Sequence, residues 1–139
     1  MQKVYLTKKF DFEAAHQLRD YKGACSHLHG HSYVVELTLS GYVDVPNDEL
    51  SKNMLVDFKA MKTLLLEYVL KEYDHSFLNE SMCKNGETYY AHPTAEFMAV
   101  TFYKIFFNQV QHFFPQVTLE SVKVWETRDS CAEYRGEQR

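Results

Sequence analysis

The chain has no apolar run approaching the roughly 20 residues that a helix needs to cross a bilayer. Its opening stretch, Met1-Gln2-Lys3-Val4-Tyr5, lacks an apolar leader, so a cytoplasmic location and no membrane partner are expected. Positive charge is in short supply: 15 Lys plus Arg stand against 19 Asp plus Glu, a formal net charge of −4. That argues against nucleic-acid binding driven by a broad basic field and leaves a local basic pocket open. Cysteine is scarce as well. Cys25, Cys83 and Cys131 are too few and too scattered for a disulfide framework or a four-cysteine zinc site, and their odd number leaves at least one thiol free. Internal repeats, low-complexity tracts and linkers are missing, so 1–139 reads as a single domain.

What is present makes a core. Apolar residues are 45% of the chain, and ten Tyr, ten Phe and one Trp exclude a disordered polymer. Val4, Leu6, Phe10, Phe12 and Ala14 alternate with Thr7, Lys9, Asp11 and Glu13, the period of a half-buried strand. Residues 31–43 repeat the pattern, with Tyr33, Val35, Leu37 and Leu39 opposite Glu36, Thr38 and Ser40. Val45-Pro46-Asn47-Asp48 supplies a turn. From Asp57, a plausible N-cap, the period lengthens through Phe58, Met61 and Leu65 to predict a helix as far as about Glu72. A polar loop through Asn79–Gly86 leads to a second helix beginning at Pro93-Thr94-Ala95-Glu96 and ending before Pro115. Short strands follow at 117–127 and 132–135. The fold class is therefore α+β: a four-stranded antiparallel sheet, two helices on one face, order ββααββ. The long first strands leave edges that favour pairing between subunits.

Three of the seven histidines crowd into Cys25-Ser26-His27-Leu28-His29-Gly30-His31. In extended backbone residues i and i+2 share a face, so His29 and His31 can converge on one ion, with Gly30 between them offering no side chain. His16, at the end of the first strand, lies near the start of the second if the two form a hairpin. Three imidazoles then leave a fourth position open, as in catalytic zinc. Spacing does not decide between these and His27, which falls on the same alternation. Cys25 reads as a ligand, an inert thiol or a reactive base. Asp74-His75 is either a tautomer-holding pair or a helix-terminal histidine. Glu126 shares a face with Val122 and Val124 and needs a partner, either a salt bridge or a ligand with adjacent N–H donors such as an aminopyrimidinone.

Phe12-Glu13-Ala14-Ala15-His16, then Cys25-x-x-x-His29-Gly30-His31-Ser32-Tyr33, Val56-Asp57-Phe58, Asp74-His75-x-x-Leu78-Asn79, Pro93-Thr94-Ala95-Glu96 and Trp125-Glu126-Thr127 follow one another in the order of a known family. Together they resemble the 6-pyruvoyltetrahydropterin synthase superfamily, and within it the 6-carboxy-5,6,7,8-tetrahydropterin synthases, because three residues separate Cys25 from His29-Gly30-His31. The resemblance implies the tunnelling fold, with three subunits closing their sheets into a barrel and two trimers stacked into a homohexamer. It implies a small-molecule pterin triphosphate, 7,8-dihydroneopterin triphosphate, as the substrate. The products would be 6-carboxytetrahydropterin, acetaldehyde and triphosphate, in 7-deazaguanine (queuosine) biosynthesis. Carried over by position, His16, His29 and His31 would hold Zn2+, Cys25 would be the base, and Asp74 and His75 the proton relay. Glu126 would anchor the pterin, with Thr94 and Glu96 in support. The segment Glu80–His92 is longer than the resemblance leads one to expect, and the triphosphate contacts stay unassigned. Competing readings are a pyruvoyl-forming synthase, an aldolase-like activity on the same substrate, and a non-catalytic pterin-binding or assembly module with structural zinc.

Overall fold

The computed structural model describes residues 1–19, 22–45 and 53–137. In chain order its elements are β1 (Gln2–His16), a 3-10 turn (Ala24–Ser26), β2 (His29–Val43), α1 (Phe58–Leu65), a π turn (Leu66–Leu70) and α2 (Lys71–Tyr73). There follow β3 (Ser76–Phe77), α3 (Leu78–Ser81), β4 (Lys84–Asn85), β5 (Thr88–Tyr89), α4 (Ala95–Phe113), β6 (Thr118–Thr127) and β7 (Ser130–Tyr134). The turn expected at Val45-Pro46-Asn47-Asp48 lies mostly outside the described residues.

β1 and β2 form one long antiparallel ladder whose register runs from Gln2 opposite Val43 to His16 opposite His29. β6 pairs along the other side of β2, and β7 along β6, giving the order β3-β1-β2-β6-β7. Alternation then sorts the faces. Phe12, Tyr33, Val35, Leu37, Leu39, Val122 and Val124 bury one face against Met61, Leu65, Met98, Phe102 and Phe106 of the helices. Each such side chain contributes about 1.5–3 kcal/mol on full burial, which holds the helices on that face.

Capping sets where the helices begin. The Asp57 carboxylate accepts from the Lys59 N–H at 2.8 Å, and the Thr94 hydroxyl oxygen accepts from the Phe97 N–H at 3.2 Å. The helix expected to reach Glu72 is not continuous. At the π turn the Lys71 N–H reaches back to the Leu66 carbonyl, five residues away.

Two further expectations need correction. The sheet has five strands and is not wholly antiparallel, because two-residue β3 lies parallel to β1 with Ala14 beside Ser76. It is drawn there by the Asp74-His75 contacts to β1 described below. The polar loop after Asn79 contains α3 and a β4–β5 hairpin, so the element order is longer than ββααββ. Gly86, at φ +64°, makes the hairpin turn, while Leu78, Met82 and Cys83 bury its base. From Gln2 to Glu13 the outer edge of β1 has no strand neighbour among the described residues.

Ser40 also departs from its polar face. It is buried and donates to Glu120 Oε1, next to a shift in the β2–β6 register at Thr38/Leu39. Tyr33 stacks on Phe12 with ring centroids 5.2 Å apart, and its buried hydroxyl has no partner among the described residues. An unsatisfied buried hydroxyl costs about 1–3 kcal/mol. Tyr33→Phe is therefore expected to raise the free energy of unfolding by roughly 1 kcal/mol in urea titrations. A lowered denaturation midpoint would show that the hydroxyl finds a partner in solution.

Candidate active site

The apolar row Leu39, Leu37, Val35, Tyr33 continues along β2 into His31 and His29, so the same face that builds the core ends in imidazoles. Across the ladder His16 stands opposite His29, and Ala14 opposite His31. Small Ala14 leaves the space into which the rings turn. His16 Nε2 lies 2.9 Å from His29 Nε2 and 3.1 Å from His31 Nε2. Among the described residues these three form the one cluster of metal-binding type. His27 is exposed and stands outside it, as does Cys25.

Two backbone carbonyls orient the rings. His16 Nδ1 is 2.9 Å from the Pro93 carbonyl oxygen, and His29 Nδ1 is 2.7 Å from that of His27. A carbonyl can only accept, so both Nδ1 atoms carry the proton, and each of these Nε2 atoms, in an uncharged ring, is left with its lone pair. Burial, followed by the neighbouring imidazoles, lowers the His31 pKa, while Glu126 opposes the shift. Lone pairs of His16 and His29 facing each other at 2.9 Å repel unless a cation lies between them. Tetrahedral zinc, with Zn–N near 2.0–2.1 Å, sets its donors about 3.3 Å apart. The donor set fits a divalent transition metal. Neither orienting carbonyl has a signature in side-chain spacing, and both were missed in the sequence; the one available hint was the proline locking the chain just before α4.

Glu126 reaches the same place. Its Oε1 lies 3.3 Å from both His16 Nε2 and His31 Nε2. The residue sits at a bulge, since Trp125 pairs with Cys131 and Thr127 with Ser130, leaving Glu126 without a partner on β7. One carboxylate oxygen thus faces the metal-binding atoms.

Asp74 and His75 are tied to the opposite edge of the sheet. Asp74 Oδ1 accepts from the Glu13 N–H at 2.9 Å and lies 3.0 Å from His75 Nδ1, while the His75 N–H donates to the Glu13 carbonyl at 2.6 Å. The Glu13 N–H, with help from His75, holds the Asp74 pKa below the usual carboxylate range. His75 has φ +59°, a left-handed conformation that costs about 1 kcal/mol or more and turns the chain from α2 into β3. Its exposed ring lines an open cleft with Glu13 and Ser32. Cys25 is half-buried in the 3-10 turn, which is fastened by Leu18 N–H to the Cys25 carbonyl at 2.8 Å and Gln17 Nε2 to the Ser26 carbonyl at 2.7 Å. Thr94 spends its hydroxyl on the α4 cap, and Glu96 is exposed in the first turn. Within one chain, then, the three histidines and Glu126 come together, His75 shares an open cleft with His31, and Cys25 makes no contact with the cluster among the described residues.

A hairpin-borne three-imidazole centre on a helix-backed sheet defines the class. Residues 5–137 match the family of 6-pyruvoyl tetrahydropterin synthase, and the chain belongs to it. It is an enzyme of the lyase type, with relatives named 6-carboxy-5,6,7,8-tetrahydropterin synthase. The Haemophilus influenzae protein of that name is 31% identical over 94% of this chain and 97% of its own length. That of Synechocystis is 36% identical over 91% and 89%. The solved structure of Caenorhabditis elegans 6-pyruvoyl tetrahydropterin synthase superposes with a TM-score of 0.77 at 26% identity, covering 99% of this chain and 98% of that one. No helix among the described residues is long and apolar enough to cross a membrane.

His29→Ala or His31→Ala is expected to weaken metal retention by at least about 100-fold, read as ion content after dialysis against chelator. Wild-type content in both variants would move the ligand role to His27 or Cys25. The Asp74 pKa is lower folded than unfolded, so its stabilising contribution is present above the unfolded value of about 3.9 and disappears as pH falls through the folded value. The stability difference between wild type and Asp74→Asn is accordingly expected to be full at pH 7 and to shrink below about pH 4, measured by thermal melts across pH.

Proposed function

We propose that the protein converts 7,8-dihydroneopterin triphosphate and one water to 6-carboxy-5,6,7,8-tetrahydropterin, acetaldehyde and triphosphate, with Zn2+ held by His16, His29 and His31. The observation that carries the reading is the meeting of three Nε2 atoms, two of them in rings oriented by carbonyl-bonded Nδ1 protons, in a chain whose relatives bear that name. Zinc, when bound, supplies Lewis acidity toward the hydroxyl oxygens of the substrate side chain.

The remaining roles belong to the chain. Glu126 offers a carboxylate to the adjacent N–H donors of the pterin ring, a charge-assisted contact that fixes its orientation, with Thr94 and Glu96 flanking. Cys25, as thiolate, takes the carbon-bound proton beside the hydroxyl. Asp74 accepts from His75 Nδ1–H, which leaves His75 Nε2 to exchange a proton with that hydroxyl. In this reading the working site is completed between subunits of a homohexamer, a dimer of trimers closed into barrels. The support for this assembly is the open β1 edge from Gln2 to Glu13, which a neighbouring strand would cover.

A second reading is the pyruvoyl-forming synthase, favoured by the structural likeness to the Caenorhabditis elegans enzyme of that name. It eliminates triphosphate without breaking the carbon chain. Incubation of the zinc-loaded protein with the triphosphate substrate is expected to release acetaldehyde in step with the carboxylated product. A pyruvoyl product without acetaldehyde would overturn the first reading in favour of the second. Cys25→Ala is expected to keep its zinc and lose turnover by about 100-fold or more; full turnover would remove the base assignment.

A further inference from the structure

The insertion Glu80–His92, which the family motifs leave without a role, carries a cationic and aromatic cluster beside the metal ligands. The Arg19 guanidinium lies 4.0 Å from the centroid of the Tyr89 ring, and Lys84 Nζ lies 5.3 Å from the same ring. Arg19, Asn79, Tyr89, Tyr90, Ala91 and His92 line a cavity of about 230 Å3. No carboxylate lines it, and among the described residues neither Arg19 nor Lys84 has an ion-pair partner.

The cluster is anchored to the metal centre at two points. Asn79 clamps the backbone of Gln17, the residue after His16, accepting its N–H at 2.9 Å and donating to its carbonyl at 2.7 Å. His92 precedes Pro93, whose carbonyl holds His16 Nδ1. Arg19 is three residues beyond His16, a span of at most about 10 Å. The hairpin itself is fixed by the Tyr90 N–H to the Cys83 carbonyl at 3.0 Å and by the Tyr90 hydroxyl to the Met82 carbonyl.

A guanidinium held against a ring by a cation–π contact keeps N–H donors available, and such a fork recognises oxyanions bidentately. We propose that Arg19 and His92, which line the cavity, form the subsite for the oligophosphate tail of the substrate, with Tyr89 as the positioning platform for Arg19 and Lys84, outside the cavity lining but 5.3 Å from the same ring, as an outlying cation. The proposal rests on the function argued above for its substrate, and adds what the family motifs do not supply: an insertion-borne set of phosphate contacts within reach of the metal. The fork and the ammonium together favour a chain of phosphates over a single carboxylate.

Two measurements on the full-length, zinc-loaded chain test it. In the first, kcat/KM is compared for 7,8-dihydroneopterin triphosphate and its dephosphorylated counterpart. Arg19→Ala and Lys84→Ala are expected to lower the preference for the triphosphate by roughly tenfold or more, mainly through KM, while Arg19→Lys recovers part of it. Tyr89→Leu is expected to lower the preference and Tyr89→Phe to keep it. An equal loss on both substrates would mark the cluster as merely structural and overturn the proposal. In the second, calorimetry follows inorganic triphosphate, supplied with magnesium, binding to wild type and to the Arg19→Ala, Lys84→Ala double variant, with zinc content checked afterwards. Tighter binding by wild type, by tenfold or more, supports the subsite; equal affinities sink it. Absence of turnover on either pterin would refute the functional reading, and the calorimetric result would still decide the subsite.

Discussion

Two imidazole nitrogens brought to within 3.1 Å of a third, His16 Nε2, form the crowded point that the surrounding structure holds in place. The Nδ1 protons of His16 and His29 are taken by carbonyls, so neither ring can relieve the crowding by changing tautomer. The crowding also demands the β1–β2 register. A slip of one residue would carry His16 to the solvent face while His29 and His31 stayed on the core face. The long hydrophobic row from Leu39 to Tyr33, packed under the helices, resists that slip along its whole length. Core packing and metal chemistry are thus two stretches of one alternating pattern.

The second constraint is the separation of parts. Asp74 and His75 grip β1 through Glu13 at an edge of the sheet, and the 3-10 turn around Cys25 is stitched to residues just after His16. Both are held by backbone hydrogen bonds, so their positions are set by the strand rather than by each other.

Much of this was legible in the sequence because period-two alternation is a strong signal: it gave both long strands, the shared face of His29 and His31, and the placing of Glu126 with Val122 and Val124. Asp57 and Thr94 announced the helix starts through cap chemistry. What escaped detection was what side-chain pattern does not encode. β3 is two residues long and arises from hydrogen bonds to Glu13, not from any apolar period. The π turn has no breaker residue to mark it, for Leu66–Leu70 contains neither Gly nor Pro. Gly30 was read as clearing space between imidazoles. It lies opposite Ala15 on the other face, where an added Cβ would sit 3.4 Å from the Ala14 carbonyl. The carbonyls of Pro93 and His27 carry no residue-type signal at all.

The Pro93 carbonyl has one more consequence. It belongs to the residue just before the cap of α4, so the entry of that helix and the basicity of His16 are mechanically one unit. A change in how the chain enters the helix at Thr94 would therefore turn the His16 ring with it, and a change in the ring would be felt at the first turn of the helix.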